Sequence, residues 1–221
     1  MSEERTRHEV LFIVENVPPT NNTKVLDIAC GKGRHSKMLA AYGYDVLGID
    51  SDPYILREAR LQHPTGRYIE LDMRDLSKLS ETNFDIILIM WQSWGQFEDS
   101  TNQEILEEIY DKLLPGGVFL IDIYNPDFFE KHQGTHQMKR ENIEIQETKF
   151  VKNQRLYVEL LYPDDPEPDH LEWRLYSQQE FVELIEEIGF EVHLICTKFD
   201  SHQVPSPESP RIQYLLTKPT T

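Results

Sequence analysis

The segment from Lys24 to Asp50 constrains the fold more than any other stretch of the chain. It reads KVLDIACGKGRHSKMLAAYGYDVLGID. An apolar run interrupted by Asp27 leads into the small-residue turn 29–33, a helical apolar pattern follows up to Gly43, and a second apolar run ends in Asp50. The order strand, glycine turn, helix, strand predicts one βαβ unit with an acidic residue near the tip of each strand.

The turn of this unit favours a ligand of the adenosine type. Gly31 and Gly33 allow backbone conformations that other residues avoid, and they let a ligand approach the main chain closely. The helix that follows directs its amide groups and the positive end of its dipole toward the crevice. Asp50 lies 17 residues beyond Gly33, close to the spacing at which a second-strand acid binds a ribose diol.

What the turn lacks indicates which adenosine ligand it binds. Arg34, His35 and Ser36 follow Gly33, so the third glycine of the dinucleotide fingerprint G-x-G-x-x-G is missing. Asp27, just ahead of the turn, would repel phosphates and suits a cation. S-adenosylmethionine (SAM), which carries a sulfonium and an ammonium group, therefore fits better than NAD.

The same stretch resembles motif I of the class I SAM-dependent methyltransferases, which reads acid-x-Gly/Ala-x-Gly-x-Gly. Asp27, Ala29, Gly31 and Gly33 match its positions, with Ala29 in place of the first glycine. Further landmarks of the family follow in order over roughly residues 24–125: Asp50, Leu71-Asp72-Met73, the fourth strand 84–89 and the turn 114–117. The resemblance implies an α/β fold, with a Rossmann-like doubly wound seven-stranded sheet and an antiparallel C-terminal hairpin at its edge.

The resemblance also implies a cofactor site at the strand ends. Asp72 would contact the adenine amino group, although a cap of the following turn is the alternative, and Met73 would cover the ring. The predicted cofactor-binding residues are Asp27, Ala29, Gly31, Gly33, Asp50, Ser51, Asp72, Met73 and Met90.

Aromatic residues in the loop 90–97, MWQSWGQF, suggest a substrate site, because this loop follows the fourth strand and faces the ligand crevice. Aromatic faces attract a sulfonium or an amine by about 0.5–2 kcal/mol; filling of the core is the alternative. Tyr124 and Asn125 end the fifth strand, and Arg174 would anchor an anion or pair with a neighbouring glutamate. The predicted substrate-binding residues are Trp91, Trp94, Phe97, Tyr124, Asn125 and Arg174.

The sequence assigns no catalytic residue. Methyl transfer from a sulfonium is an in-line displacement, so the protein must chiefly align the acceptor and exclude water. A general base is needed only if the acceptor arrives protonated. Histidine titrates near neutral pH, so His35, His132 and His136 are candidates beside Tyr124, with a surface or packing role as the alternative.

Residues 127–176 differ in pattern from the rest of the chain. Their loose alternation predicts two or three antiparallel strands, and the resemblance implies a β insert that covers the active site and shapes the substrate pocket. We expect a single methyltransferase domain over 1–221 that contains this insert. A helix over 4–17 would lie across the cofactor pocket or pack at the sheet edge.

Charge and composition restrict the partners and the location. The chain has 22 basic and 39 acidic residues and a net charge of −17, a balance that argues against binding to nucleic acid. It lacks an apolar run of the ~20 residues that a membrane span needs, and its charged N-terminus does not resemble a signal peptide. Cys30 and Cys196 form no metal or disulfide pattern. We expect a cytoplasmic monomer or homodimer without a metal.

The leading hypothesis is a SAM-dependent methyltransferase that acts on nitrogen or oxygen of a small molecule. One alternative is a methyltransferase-fold protein that binds SAM or its product S-adenosylhomocysteine (SAH) without catalysis, and another is a protein methyltransferase. An NAD-dependent oxidoreductase is a third, disfavoured by the missing glycine and by Asp27.

Overall fold

The computed structural model of the protein describes residues 3–140, 143–165 and 167–220. The helices are α1 (Glu3–Asn16), α2 (Arg34–Ala41), α3 (Pro53–Gln62), α4 (Asp99–Lys112), α5 (Pro126–Lys131) and α6 (Gln178–Ile188), with a 3₁₀ helix at Met73–Lys78. The strands of the main sheet are β1 (Lys24–Ile28), β2 (Asp45–Asp50), β3 (Arg67–Glu70), β4 (Phe84–Ile89), β5 (Leu113–Tyr124), β10 (Glu191–Cys196) and β11 (Arg211–Thr217). The strands of the insert are β6 (Gly134–Arg140), β7 (Ile143–Lys152), β8 (Arg155–Leu161) and β9 (Asp169–Arg174).

The main sheet has the order β10-β11-β5-β4-β1-β2-β3. Strands β1 to β5 run parallel to one another, whereas β11 is antiparallel to both β5 and β10. This arrangement confirms the predicted doubly wound α/β sheet with an antiparallel C-terminal hairpin. The strand order reverses between β1 and β4, and such a switch point opens a crevice at the carboxyl ends of the strands.

Alternate residues of the central strands build two apolar layers. Leu26 and Ile28 of β1 pack with buried residues of α4 and α6, while Val25 packs with buried residues of α1 and α2. Both faces of β1 are therefore covered, which explains why its sequence is an almost continuous apolar run. Asp27 is the exception, and it lies on the α1 and α2 side with Val25.

The insert differs from its prediction in the number of strands. It is a four-stranded antiparallel sheet in the order β6-β7-β8-β9, where two or three strands were expected. The alternating pattern over residues 138–151 suggested one strand, but this stretch belongs to two strands, β6 and β7, that pair as a hairpin. Residues 141–142 between them lie outside the described part of the chain. Glu147 and Lys149 follow Ile145 at alternate positions of β7, so charges interrupt the apolar pattern that would have marked two strands.

Several boundaries also differ from the sequence pattern. Helix α4 begins at Asp99, and β5 begins at Leu113 and takes in the predicted turn 114–117. A capping box begins α6, because the Ser177 hydroxyl accepts from the Glu180 amide at 3.2 Å and a Glu180 carboxylate oxygen accepts from the Ser177 amide at 3.3 Å. None of the described helices is long and apolar enough to cross a membrane.

Candidate functional site

The turn between β1 and α2 adopts left-handed backbone conformations at three alternate positions. The φ angles are 54° at Ala29, 56° at Gly31 and 70° at Gly33. A Cβ atom at Gly33 would lie 2.4 Å from the Tyr68 hydroxyl oxygen, so only glycine fits there. A Cβ atom at Gly31 would meet nothing nearer than an Ile55 methyl carbon at 3.9 Å, which leaves space above the backbone for a ligand.

Asp50 closes this turn from the end of β2. Its Oδ2 accepts a hydrogen bond from the Gly31 amide at 2.9 Å, and its Oδ1 accepts one from the Asp52 amide at 3.0 Å. Each carboxylate oxygen retains a further lone pair, so the half-buried group is oriented by the backbone and can still accept from the hydroxyls of a ribose. Ser51, the next residue, is exposed.

Asp27 is buried beneath the turn. Its side chain is 1% exposed and its Oδ2 accepts a hydrogen bond from the Ser36 hydroxyl at 2.6 Å. Burial raises the pKa of this carboxyl above its usual value, because a charge that leaves water is destabilised unless it is compensated. A cationic ligand close to Asp27 would supply that compensation.

The structure brings the remaining predicted cofactor residues to the same sheet edge. Asp72, after β3, accepts from the Arg74 amide at 2.9 Å and forms an ion pair with the Arg74 guanidinium at 2.7 Å. The hydrogen bond from Arg74 lowers the pKa of Asp72, and these contacts are those of the predicted cap. Met73 packs half-buried against the core, and Met90 is buried directly after β4.

Glu9 of α1 is a central residue that the sequence analysis did not single out. It is 1% exposed, and its Oε2 accepts from Nε2 of His35 at 2.8 Å and from the Trp91 indole at 3.1 Å. Arg5 lies 3.4 Å from its other oxygen. An acid at an inward position of an amphipathic helix, beside Val10, was the available signal. His35 is thus engaged in a buried contact with α1.

Trp91 is surrounded by cationic side chains. The guanidinium carbons of Arg5, Arg211 and Arg34 lie 3.8, 4.1 and 4.6 Å from the centroid of its ring. Its backbone has a φ of 57°, and its amide donates to Oδ2 of Asp122 at 3.3 Å. Such a left-handed conformation is uncommon for a bulky residue, so the loop after β4 holds this indole in a defined position.

Asp122 of β5 anchors the guanidinium of Arg211. The two side chains form a buried ion pair, and Nε2 of Gln213 donates to the second oxygen of Asp122 at 2.6 Å. Burial raises the pKa of Asp122. Pairing of β5 with β11 brings together residues that are far apart in the sequence, so no local motif would have identified this pair.

A cavity of about 460 Å³ lies between the carboxyl edge of the main sheet and the inner face of the insert; we call it the chamber. Trp91 and Tyr124 come from the strand ends, and the Glu147 and Lys149 side chains form an ion pair at 2.6 Å on the opposite wall. The full lining is Arg5, Trp91, Gln92, Tyr124, Phe128, Phe129, Met138, Ile145, Glu147, Lys149, Val158, Leu160, Leu171, Trp173, Pro210 and Arg211.

Two of the predicted substrate residues line the chamber, Trp91 and Tyr124, while the other four lie elsewhere. Trp94 is buried in the core beside Tyr176 and Phe181, which is the packing alternative. Phe97 packs half-buried against the same core, with the Arg74 guanidinium 4.8 Å from its ring centroid.

Asn125 and Arg174 make structural contacts. The Asn125 amide group donates to the carbonyls of Ser206 and Ser209 at 2.9 and 2.8 Å, which holds the loop before β11. Arg174 is 7% exposed and pairs with Asp99 and Glu180, as its ion-pair alternative predicted.

The other candidate bases differ in their surroundings. His132 is exposed and stacks on the Phe128 ring at 3.9 Å, and His136 is exposed on β6. The Tyr124 ring packs edge-on against Phe129 and Trp173, and burial raises the pKa of its hydroxyl. Within the described ranges, His, Cys, Asp and Glu side chains form no group of three that would hold a metal ion.

Comparison with known sequences shows that the central part of the chain resembles methyltransferases. Residues 25–117 match the family model described as a methyltransferase domain. The putative methyltransferase YqeM of Bacillus subtilis is 23% identical over 212 residues, which cover 90% of this chain and 85% of that protein. The glycine/sarcosine N-methyltransferase of Halorhodospira halochloris is 29% identical over 133 residues, which cover 58% of this chain and only 50% of that relative.

Solved structures share the fold along nearly the whole chain. The CcbJ methyltransferase of Streptomyces caelestis superposes with a TM-score of 0.83 at 16% identity, covering 99% of this chain and 93% of that one. The SAM-bound amino pentose methyltransferase CalS10 of Micromonospora echinaspora superposes with a TM-score of 0.72 at 18% identity, covering 99% of this chain and 92% of that one. Residues 25–117 therefore match a methyltransferase domain, and nearly the whole chain has the fold of these solved methyltransferases.

Proposed function

We propose that this protein transfers a methyl group from SAM to a nitrogen or oxygen atom of a small molecule bound in the chamber. The observation that carries the proposal is the position of Trp91. Its indole lines the chamber, and the same residue follows β4 at the edge where Asp27, the glycine turn and Asp50 meet. A methyl donor at that edge and an acceptor in the chamber would be neighbours.

The residues at the sheet edge fit SAM. Asp50 has the orientation to accept from ribose hydroxyls, and the space above Gly31 admits a ligand close to the backbone. The buried carboxylate of Asp27 suits the cationic part of the molecule. When bound, SAM supplies an electrophilic methyl group on a sulfonium.

The chamber would orient the acceptor and exclude water, the two tasks that dominate this chemistry. Its walls are largely apolar and aromatic, with Trp91 and Tyr124 at the strand-end wall. A volume of about 460 Å³ suits a small molecule. The names of two of the proteins compared above, an amino pentose methyltransferase and a glycine/sarcosine N-methyltransferase, support an acceptor of this size.

Calorimetric titration with SAM, SAH and NAD tests the donor site. We expect micromolar binding of SAM and SAH and no binding of NAD. Incubation with SAM and panels of small amines, phenols and carboxylates, with SAH as the measured product, then tests turnover. Binding of SAM without product from any acceptor class would favour a protein that binds SAM without catalysis. Absence of SAM binding would refute the proposed function.

A further inference from the structure

We propose that the acceptor carries a carboxylate-type anionic group beside an apolar body, and that Arg5 and Arg211 bind this anion at one end of the chamber. The inference rests on the proposed function and names the class of its acceptor. Three features support it: the apolar walls, the charges of the lining, and the arrangement of the guanidinium groups on Trp91.

The walls of the chamber require an acceptor with an apolar body. Residues of β7, β8 and β9 present an apolar inner face, and α5 contributes two phenylalanines. The apolar side chains that line the chamber from these elements are Phe128, Phe129, Ile145, Val158, Leu160, Leu171 and Trp173. An acceptor without an apolar part would leave this surface in contact with water, so it would gain little from burial.

The charges of the chamber are opposite to those of the whole protein. The chain carries a net charge of −17, yet Arg5, Lys149 and Arg211 line the chamber with Glu147 as its acidic residue. A second cavity of about 330 Å³ shares Arg5, Pro210 and Arg211 with the chamber. Its lining adds His8 and Lys198, with Glu9 as the acidic residue. The two arginines therefore lie where two cavities meet.

The acids that balance these arginines are buried. Asp122 and Glu9 are 0% and 1% exposed; Glu9 borders only the second cavity, whereas Arg5 and Arg211 border both. Both guanidinium groups lie over the Trp91 ring, with their carbons 3.8 and 4.1 Å from its centroid. Burial and the positive charge of Arg211 lower the pKa of Arg5. The effect of Arg211 means that the two guanidinium charges repel each other. An anion bound in the chamber, which both arginines line, would offset the repulsion between their charges, and guanidinium matches the planar geometry of a carboxylate.

A cationic acceptor fits these contacts less well. Glu147 would be its partner in the chamber, but Glu147 is paired with Lys149 at 2.6 Å. An amine would have to displace Lys149 and would also enter a space bordered by Arg5 and Arg211. The structure therefore favours an anionic over a cationic acceptor, despite the acidic character of the protein as a whole.

A matched set of three probes tests the charge preference. Phenylacetate, phenylacetamide and phenethylamine have similar size and an identical ring but differ in charge. We would titrate each into the protein in the presence of saturating SAH, using calorimetry. Phenylacetate should bind about tenfold more tightly than the amide, and phenethylamine should be the weakest.

Two variants of α1 locate the anion site. Arg5→Gln should remove the preference for phenylacetate over the amide. Arg7→Gln makes the same change of charge at an exposed position two residues away that lines neither cavity, and it should preserve that preference. Both variants alter one partly or fully exposed side chain of the same helix, so both should fold.

The outcomes separate this inference from the proposed function. Equal binding of phenylacetate and the amide, or an equal effect of the two variants, would overturn it. If Arg5→Gln weakened SAH binding about tenfold and left the probe preference unchanged, the arginine would bind the donor's carboxylate, and the inference would be wrong. Failure of the wild-type protein to bind SAH refutes the proposed function instead, and the probes can then be titrated without SAH.

Discussion

The indole Nε1 of Trp91 donates a hydrogen bond to Oε2 of Glu9, 3.1 Å away, and so joins the loop after β4 to helix α1. The same oxygen accepts from His35 at the start of α2, 2.8 Å away. One buried carboxylate therefore connects three elements that border the proposed donor site. Burial opposes its ionisation, but the hydrogen bond and charge of His35 and the hydrogen bond from Trp91 hold the pKa of Glu9 below its usual value.

Glu9→Gln should therefore destabilise the protein at neutral pH. Hydrogen bonds to a charged acceptor would become neutral ones, and we expect a loss of about 1–2 kcal/mol in the free energy of unfolding. Urea unfolding measures it, with Glu15→Gln, at an exposed position of the same helix, as the control. Equal stability of the two variants would contradict this role.

The same pair of proteins tests a pH dependence. The pKa of Glu9 is lower in the folded than in the unfolded state, so its stabilising effect is present above the unfolded pKa and is lost as pH falls through the folded pKa. The advantage of the wild-type protein over Glu9→Gln should thus shrink on acidification below the normal titration range of glutamate. A constant difference across that range would show that the charge of Glu9 contributes nothing.

Gly33→Ala should disrupt the turn more than the same change at Gly43. Both glycines have a positive φ, of 70° and 98°. A Cβ atom at Gly33 would overlap the Tyr68 ring, whereas one at Gly43 meets nothing within 4 Å. Backbone strain alone costs about 1 kcal/mol, and overpacking adds roughly 1–3 kcal/mol. Urea unfolding should give a lower free energy of unfolding for Gly33→Ala than for Gly43→Ala. Similar free energies for the two variants would exclude the overlap with Tyr68.

The ionised carboxylate of Asp27 should strengthen SAM binding and, at the same time, lower the stability of the folded protein. Burial makes the pKa of Asp27 higher in the folded than in the unfolded state. Ionisation therefore destabilises the folded state as pH rises from the unfolded pKa to the folded pKa. Asp27→Asn retains an acceptor for Ser36 and should raise the free energy of unfolding by about 1 kcal/mol near neutral pH, with a smaller gain in acid. Asp27→Ala should abolish SAM binding while the fold is retained.

Calorimetry with SAM and urea unfolding of the two Asp27 variants separate these effects. Asp27→Asn should lose affinity for SAM even where it gains stability, because the cationic ligand loses its counter-charge. Unchanged affinity in Asp27→Ala would remove Asp27 from the donor site. Lower stability of Asp27→Asn at both pH values would show that the ionised form is well compensated in the folded protein.

Neither cysteine should react in the folded protein. Cys30 and Cys196 are 8% and 1% exposed, and burial raises the pKa of both thiols, that of Cys196 to about 11. Because the thiolate is the nucleophile, iodoacetamide at mildly alkaline pH should modify neither until urea unfolds the chain. Mass spectrometry of the intact protein measures this, and rapid labelling of native protein would contradict the burial of these residues.

The sequence was most informative where function depends on local spacing. Asp27, the glycine turn and Asp50 belong to one βαβ unit, so a short motif predicts their arrangement. Asp122 and Arg211 are joined only by the pairing of β5 with β11, and no local pattern marks such a contact. The aromatic loop 90–97 was predicted either to line a substrate site or to fill the core. Each alternative holds for a different residue, because Trp91 lines the chamber while Trp94 fills the core.

The placement of the tryptophans gives the protein its own optical reporter. The chain contains three; Trp91 and Trp173 line the chamber, and Trp94 lies in the core. Indole emission responds to nearby charge and to displaced water, and Trp91 has three guanidinium groups around its ring. Filling of the chamber should therefore change the intrinsic fluorescence. Candidate acceptors can be screened in this way without a label, before any product has been identified.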